Sequence, residues 1–169
     1  MRLIDFYRKF RPRLYNENWH HRLLCKWIER AYRERINLII EAPPRHGKSE
    51  AACVYGPAYG LACDPLQRFL VITNADALSG LFVNATRQIV QSPEYQNDWP
   101  LPMGVCREGQ FRLAVPNVGK DYSMAGFGIH GQSAGYGADV LILDDTLKRG
   151  SEANSETIRR KLWQDTASA

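Results

Sequence analysis

An α/β fold with a mainly parallel central sheet flanked by helices is expected from three stretches of the 169-residue sequence. The apolar run Leu38-Ile39-Ile40 leads into a turn closed by Gly47-Lys48-Ser49, and a helical pattern follows at once. Phe69-Leu70-Val71-Ile72-Thr73 leads through Asn74-Ala75-Asp76 into a second helical pattern. Val140-Leu141-Ile142-Leu143 ends in two adjacent carboxylates, Asp144 and Asp145. Strand then helix, repeated, is the signature of a parallel sheet. Four branched aliphatics in a row read as a central strand buried on both faces.

The first stretch has the layout of a phosphate-binding loop: strand, turn, helix. Gly47 lets the backbone approach a phosphate with no Cβ in the way. The N–H groups that open the following helix point at the anion, with the helix dipole behind them. Lys48 supplies a mobile point charge for the β- and γ-phosphates, and the Ser49 hydroxyl is placed to ligate Mg²⁺. Ala42, followed by Pro43-Pro44, stands where glycine usually opens such a loop. Asp144 fits the aspartate that holds Mg²⁺ at the end of a buried strand. Asp145 is then the candidate base that orients or deprotonates an attacking water. The plainer readings are a surface turn with a solvated lysine, and a strand that stops at a polar turn.

Pro43-Pro44-Arg45-His46-Gly47-Lys48-Ser49-Glu50 resembles the ATPase motif of the large terminase subunit of tailed bacteriophages. The glycine-rich approach from Gly131 through Gly135, Gly137 and Asp139 to Asp144-Asp145 is similar to that family's acidic block, as is the segment from Lys148 to Trp163. The family often has aspartate-glutamate where this chain has Asp144-Asp145. The resemblance covers most of the chain from about Trp19. It implies a P-loop NTPase motor that hydrolyses ATP with Mg²⁺ to drive viral DNA into a capsid. Pro44, Arg45, His46, Gly47, Lys48, Ser49 and Glu50 would bind nucleotide, Ser49 and Asp144 would hold Mg²⁺, and Asp145 and Arg45 would be catalytic. Arg45 would act as a finger in cis. A second reading has Arg45 clamp Glu50 or Asp145 and shape the loop, and a third has the finger delivered in trans by a neighbouring subunit, with Arg107 and Arg112 as its candidates. Double-stranded DNA, a portal protein, the small terminase subunit and a homo-oligomeric ring are the implied partners, in the host cytoplasm. Further core strands, a coupling motif and a C-terminal nuclease domain of the family do not appear in these residues. The core (37–169) is therefore expected to be incomplete, and packaging activity is not expected of it alone. A helicase-like, nucleic-acid-stimulated ATPase and a non-hydrolysing nucleotide-binding or assembly module are the alternatives.

Taken in order, residues 1–18 are basic and aromatic, with Pro12 interrupting. They suit a nucleic-acid arm or a segment packed on its own domain. Residues 20–35 carry Leu23, Leu24, Trp27, Ile28 and Ala31 at helical spacing, which closes an N-terminal region of residues 1–36. The segment from Tyr15 to His20 resembles the part of the family that reaches the adenine base; otherwise Asn18 caps the helix and Trp19 enters the core. The helix leaving Gly47 is expected to run to about Leu61, with Pro57 kinking or ending it. Asp64-Pro65 makes a turn, and Leu78, Leu81, Phe82, Ala85 and Ile89 form the inner face of the next helix. Residues 92–102 read as a loop, 103–118 as antiparallel strands beside the sheet, and 151–169 as a helix. Six glycines between Gly119 and Gly137 suit either a mobile loop or tight turns.

A net charge of +4, with 44% hydrophobic and 24% charged residues, is ordinary for a globular protein and permits a nucleic-acid partner. No apolar run approaches a membrane-spanning length, and residues 1–5 lack a signal peptide's apolar centre. Cys25, Cys53, Cys63 and Cys106 have no ligand spacing and read as free thiols in a reducing compartment. His20-His21 lacks the spacing of a zinc pair.

Overall fold

The computed structural model describes residues 1–11, 17–116, 121–131, 133 and 135–146. The expected helix at 151–169, the segment from Lys148 to Trp163, and Tyr15 and Asn16 lie outside them. The fold is α/β, with a five-stranded mixed sheet flanked by helices. In chain order the elements are α1 (Leu3–Phe10), α2 (Trp19–Glu34), α3 (Lys48–Glu50), a π-helical segment Ala51–Tyr55, α4 (Gly56–Cys63), β1 (Phe69–Thr73), α5 (Asp76–Gln91) and α6 (Pro93–Asp98). Then come β2 (Met103–Arg107), β3 (Gln110–Leu113), β4 (Met124–Gly128) and β5 (Val140–Leu143).

The strands lie in the order β2-β3-β4-β1-β5. β1 is parallel to both neighbours, pairing Val71 with Gly126 on one side and Ile142 on the other. β2 and β3 form a hairpin about Glu108-Gly109 and add antiparallel to β4, as expected of residues 103–118. Every residue of β1 is buried.

Two expectations at the other edge are corrected. Residues 38–40 are not a strand. Leu38 and Ile40 pack against the core while Ile39 is 87% exposed, so the alternation of a strand is present without a ladder. β5 is not buried on both faces. It is an edge strand among the described residues, with Val140 and Ile142 half-buried and Leu141 and Leu143 exposed at 43% and 49%. An apolar run shows that a strand is compatible with burial, not that a neighbour covers it.

The segment 1–11 belongs to the main core. Leu3, Phe6 and Tyr7 of α1 are fully buried, and Phe6 packs with Tyr59, Tyr95 and Trp99. Burying side chains of this size stabilises a fold by roughly 1.5–3 kcal/mol each. Two expected helix faces are met in part: Ile28 is buried, and Leu24, Phe82, Ala85 and Ile89 pack against the core. α2 buries His21, Cys25 and Ile28 and leaves Leu23 and Trp27 exposed. α5 buries Ser79, Val83, Thr86 and Val90, and leaves Leu81 outside. Small residues face inward there because α5 lies close on the sheet. A Cβ added at Gly126 would meet the Ser79 carbonyl oxygen at 2.9 Å. The stretch 92–102 contains α6, which the loop reading missed. Ser92 caps it by accepting the Tyr95 N–H (3.2 Å), with Pro93 at the first helical position, where its missing N–H costs nothing.

The helix that leaves the phosphate-loop candidate continues through Pro57 to Cys63. The preceding π-helical turn accommodates the proline: Gly56 N–H donates to the Ala51 carbonyl, five residues back. A proline lacks the N–H for the helix ladder and crowds the carbonyl four residues before it, here Cys53. The buried Thr86 hydroxyl lies 3.4 Å from that carbonyl and 3.3 Å from that of Val54.

Arg68 fastens the start of β5. Its backbone N–H and its guanidinium donate to Asp139 (2.9, 3.1 and 3.1 Å), and the guanidinium also reaches Asp121 at 2.6 Å. The side-chain hydrogen bond from Arg68 holds the Asp139 carboxyl below its ordinary pKa. A carboxylate lowered in this way stabilises the fold above its unfolded pKa and loses that contribution as pH falls through the folded value. Asp139→Asn is expected to cost about 0.5–1 kcal/mol at neutral pH, the range of a solvent-screened pair. Urea midpoints of variant and wild type should converge well below about pH 4. A gap that persisted into acid would contradict this account.

Candidate phosphate-binding site

The loop 42–47 is built around two left-handed residues. Gly47 (φ 74°) caps the helix that begins at Lys48, and Arg45 has φ 62°. Glycine adopts this region freely, whereas arginine does so at a cost. The pocket around Gly47 is close: an added Cβ would meet Tyr7 Oη at 3.3 Å and His21 Nε2 at 3.4 Å. His46 Nδ1–H donates back to the Pro44 carbonyl (2.9 Å), which closes the turn. Lys48 Nζ folds over the loop and donates to the Ala42 carbonyl (3.3 Å), joining its two ends.

The Ser49 hydroxyl donates to Asp144 Oδ1 at 3.0 Å, bringing together residues 95 positions apart in the chain. Asp144 takes its place because its N–H extends the β5 ladder by one bond, to the Ile72 carbonyl (3.0 Å). Asp145 then turns left-handed (φ 48°), a conformation aspartate tolerates. Asp144 is half-buried against Ser49, and Asp145 is exposed. Beneath them Cys53 is fully buried, and its thiol pKa is pushed up, first by burial and then by the charge of Asp144.

The remaining expected site residues divide. Pro44, Arg45 and His46 are exposed on the loop. Arg45 makes no hydrogen bond or ion pair with any described residue, so it clamps neither Glu50 nor Asp145. The Glu50 carboxylate is held by Arg11 (2.8 Å) and approached by Tyr7 Oη (3.4 Å). Arg107 is exposed on β2, and Arg112 lies on β3.

In the sequence Tyr7 and Arg11 have a place only in the basic, aromatic segment 1–18, and His21 only in a pair without zinc spacing; all three surround Gly47 and Glu50. His21 Nδ1 accepts the Asn18 N–H (3.2 Å), so the neutral ring carries its proton on Nε2, the nitrogen facing Gly47. Burial, then the charge of His20, lowers the basicity of that imidazole. Asn18 is therefore the helix cap, as one of the two readings had it, but Trp19 does not enter the core: it is 74% exposed. Together with Trp27, Leu38, Ile40, Pro43 and His46, Trp19 lines a cleft of about 660 Å³ beside the loop.

The donor set suits a small hard cation. One hydroxyl and one carboxylate oxygen at 3.0 Å match the way Mg²⁺ is held by one or two protein groups plus substrate phosphates. No cluster of three His, Cys, Asp or Glu side chains able to cage a metal occurs among the described residues. No helix among them is long and apolar enough to cross a membrane. No protein-family model, curated protein or solved structure matches the chain.

Proposed function

We propose that this chain is a phosphate-loop ATPase domain of the kind that powers DNA packaging in the large terminases of tailed phages. The observation that carries the reading is the Ser49–Asp144 contact, which joins the glycine-lysine-serine turn to the carboxylate at the end of β5. An ordinary surface turn with a solvated lysine gives no reason for its serine to meet that carboxylate.

On this reading Gly47 and the first N–H groups of the helix receive the phosphates. Lys48 exchanges the Ala42 carbonyl for the β- and γ-phosphates. Ser49 and Asp144 hold Mg²⁺, which when bound neutralises charge on the phosphate oxygens. Asp145, exposed beside them, orients the attacking water and accepts its proton. Pro44, His46 and the cleft beside Trp19 border the nucleotide. A P-loop NTPase core, double-stranded DNA, a portal ring, a small terminase subunit, a ring of copies and the host cytoplasm are the finer part of the proposal. They rest on the resemblance of residues 43–50 and 131–145 to that family.

Lys48→Ala tests the reading. Losing one charge-assisted contact of about 1.5–3 kcal/mol should weaken MgATP binding by roughly one to two decades. Isothermal titration of the folded variant measures it, and unchanged affinity would remove the phosphate-loop assignment. Binding without turnover in the wild type would favour the non-hydrolysing module.

A further inference from the structure

The acidic residue of the phosphate-loop candidate poses an electrostatic problem that Arg11, the C-cap of α1, answers. Glu50 sits in the first turn of the helix, three residues after the capping Gly47. A carboxylate there favours the bare helix, because it complements the positive end of the dipole. The same charge opposes a polyphosphate arriving at that end. In the structure Glu50 Oε2 is paired with Arg11 Nη2 at 2.8 Å, with Tyr7 Oη at 3.4 Å from the same oxygen. The Arg11 guanidinium lies over the Tyr7 ring, 5.2 Å from its centroid. Tyr7 is itself fixed: it is fully buried and meets Tyr55 of the π-helical turn edge-on at 4.5 Å.

We propose that Arg11 is a positioning residue that masks the charge of Glu50, so that the loop ahead of it can take an anionic polyphosphate. This inference rests on the phosphate-loop reading above. It gives the N-terminal helix a function beyond packing: α1 positions at its C-cap the counter-charge that makes the helix terminus hospitable to phosphate. The pair is partly exposed, and each charge alone is screened by solvent. The effect is therefore moderate and depends on salt.

The test is a double-mutant cycle read as MgADP affinity by isothermal titration at low salt. Arg11→Ala is expected to weaken MgADP about fivefold in the native background, the size of one partly screened charge. In a Glu50→Gln background the same substitution should change affinity by less than about twofold, since no charge is left to mask. Arg11→Lys should keep near-native affinity. Arg11→Gln, which retains bulk, replaces alanine in the cycle if alanine unfolds the chain. Equal losses in both backgrounds would show that Arg11 acts independently of Glu50 and overturn the masking, as would an indifferent Arg11→Ala in a wild type that binds. A wild type that binds no MgADP defeats the phosphate-site reading itself, and the masking with it.

Discussion

Asp145→Asn is expected to retain MgATP affinity while losing turnover by about 10²–10⁴, the usual contribution of a positioned general base. Asp144→Asn should do the reverse in emphasis. It should weaken Mg²⁺-dependent binding, because a hard cation loses an anionic oxygen or the acceptor for its water. The geometry supports a division of labour. Asp144 is half-buried and accepts from Ser49, whereas the left-handed turn at Asp145 sends the next carboxylate to an exposed position. Asparagine is nearly isosteric with aspartate and tolerates the same backbone conformation. Neither substitution therefore strains the turn, and stability should change little. Affinity comes from titration of each variant with MgATP, and the chemical step from single-turnover hydrolysis. Equal losses of binding in both variants would contradict the assignment of a metal-side and a water-side carboxylate. Full turnover in Asp145→Asn would move the base elsewhere.

What the sequence made legible was what local chemistry decides. Gly47-Lys48-Ser49 announces a turn before a helix, and the structure puts a left-handed glycine and a helix start there. The uninterrupted apolar run 69–73 is a strand buried at every position. Ser92-Pro93 carried a helix-start signal, but the surrounding prolines and polar residues made the stretch read as a loop. Other features depend on what lies opposite. Leu38-Ile39-Ile40 and Val140-Leu141-Ile142-Leu143 are equally apolar, yet one has no ladder and the other forms an edge, because ladders need neighbours. Hydrophobicity likewise put Leu23 and Trp27 of α2 and Leu81 of α5 on inner faces where the structure leaves them exposed. Close helix-sheet approach at Gly126 favours Ser79 and Thr86 over a large residue such as Leu81. Of the candidate site, the residue types were readable and the long-range contacts were not. Nothing local says that Ser49 meets Asp144, or that Arg11 meets Glu50.

Arg45 is expected to give the largest kinetic effect of any single substitution. In phosphoryl transfer a guanidinium on the γ-phosphate oxygens stabilises transition-state charge and is worth about 10³–10⁵ in rate. Three features of the structure fit a residue kept for such a role. Arg45 is exposed, it has no hydrogen-bond or ion-pair partner among the described residues, and it holds a left-handed backbone that costs a non-glycine residue about 1 kcal/mol or more. An arginine kept for structure would be expected to have a carboxylate, and one of the two expected for it, Glu50, is paired with Arg11. Arg45→Ala and Arg45→Lys should therefore both bind MgATP near-normally and both lose single-turnover hydrolysis. Lysine carries the charge but not the planar fork that meets two oxygens at once. Restoration of the rate by lysine would make Arg45 a simple phosphate-binding charge. Affinity and rate falling together would make it a ground-state binding residue, and the finger would then be sought at Arg107 or Arg112, acting from a neighbouring copy. Arg45→Gly separates the backbone from the side chain. It relieves the left-handed strain, so it should stabilise the folded protein slightly in a thermal melt while abolishing turnover as completely as alanine does.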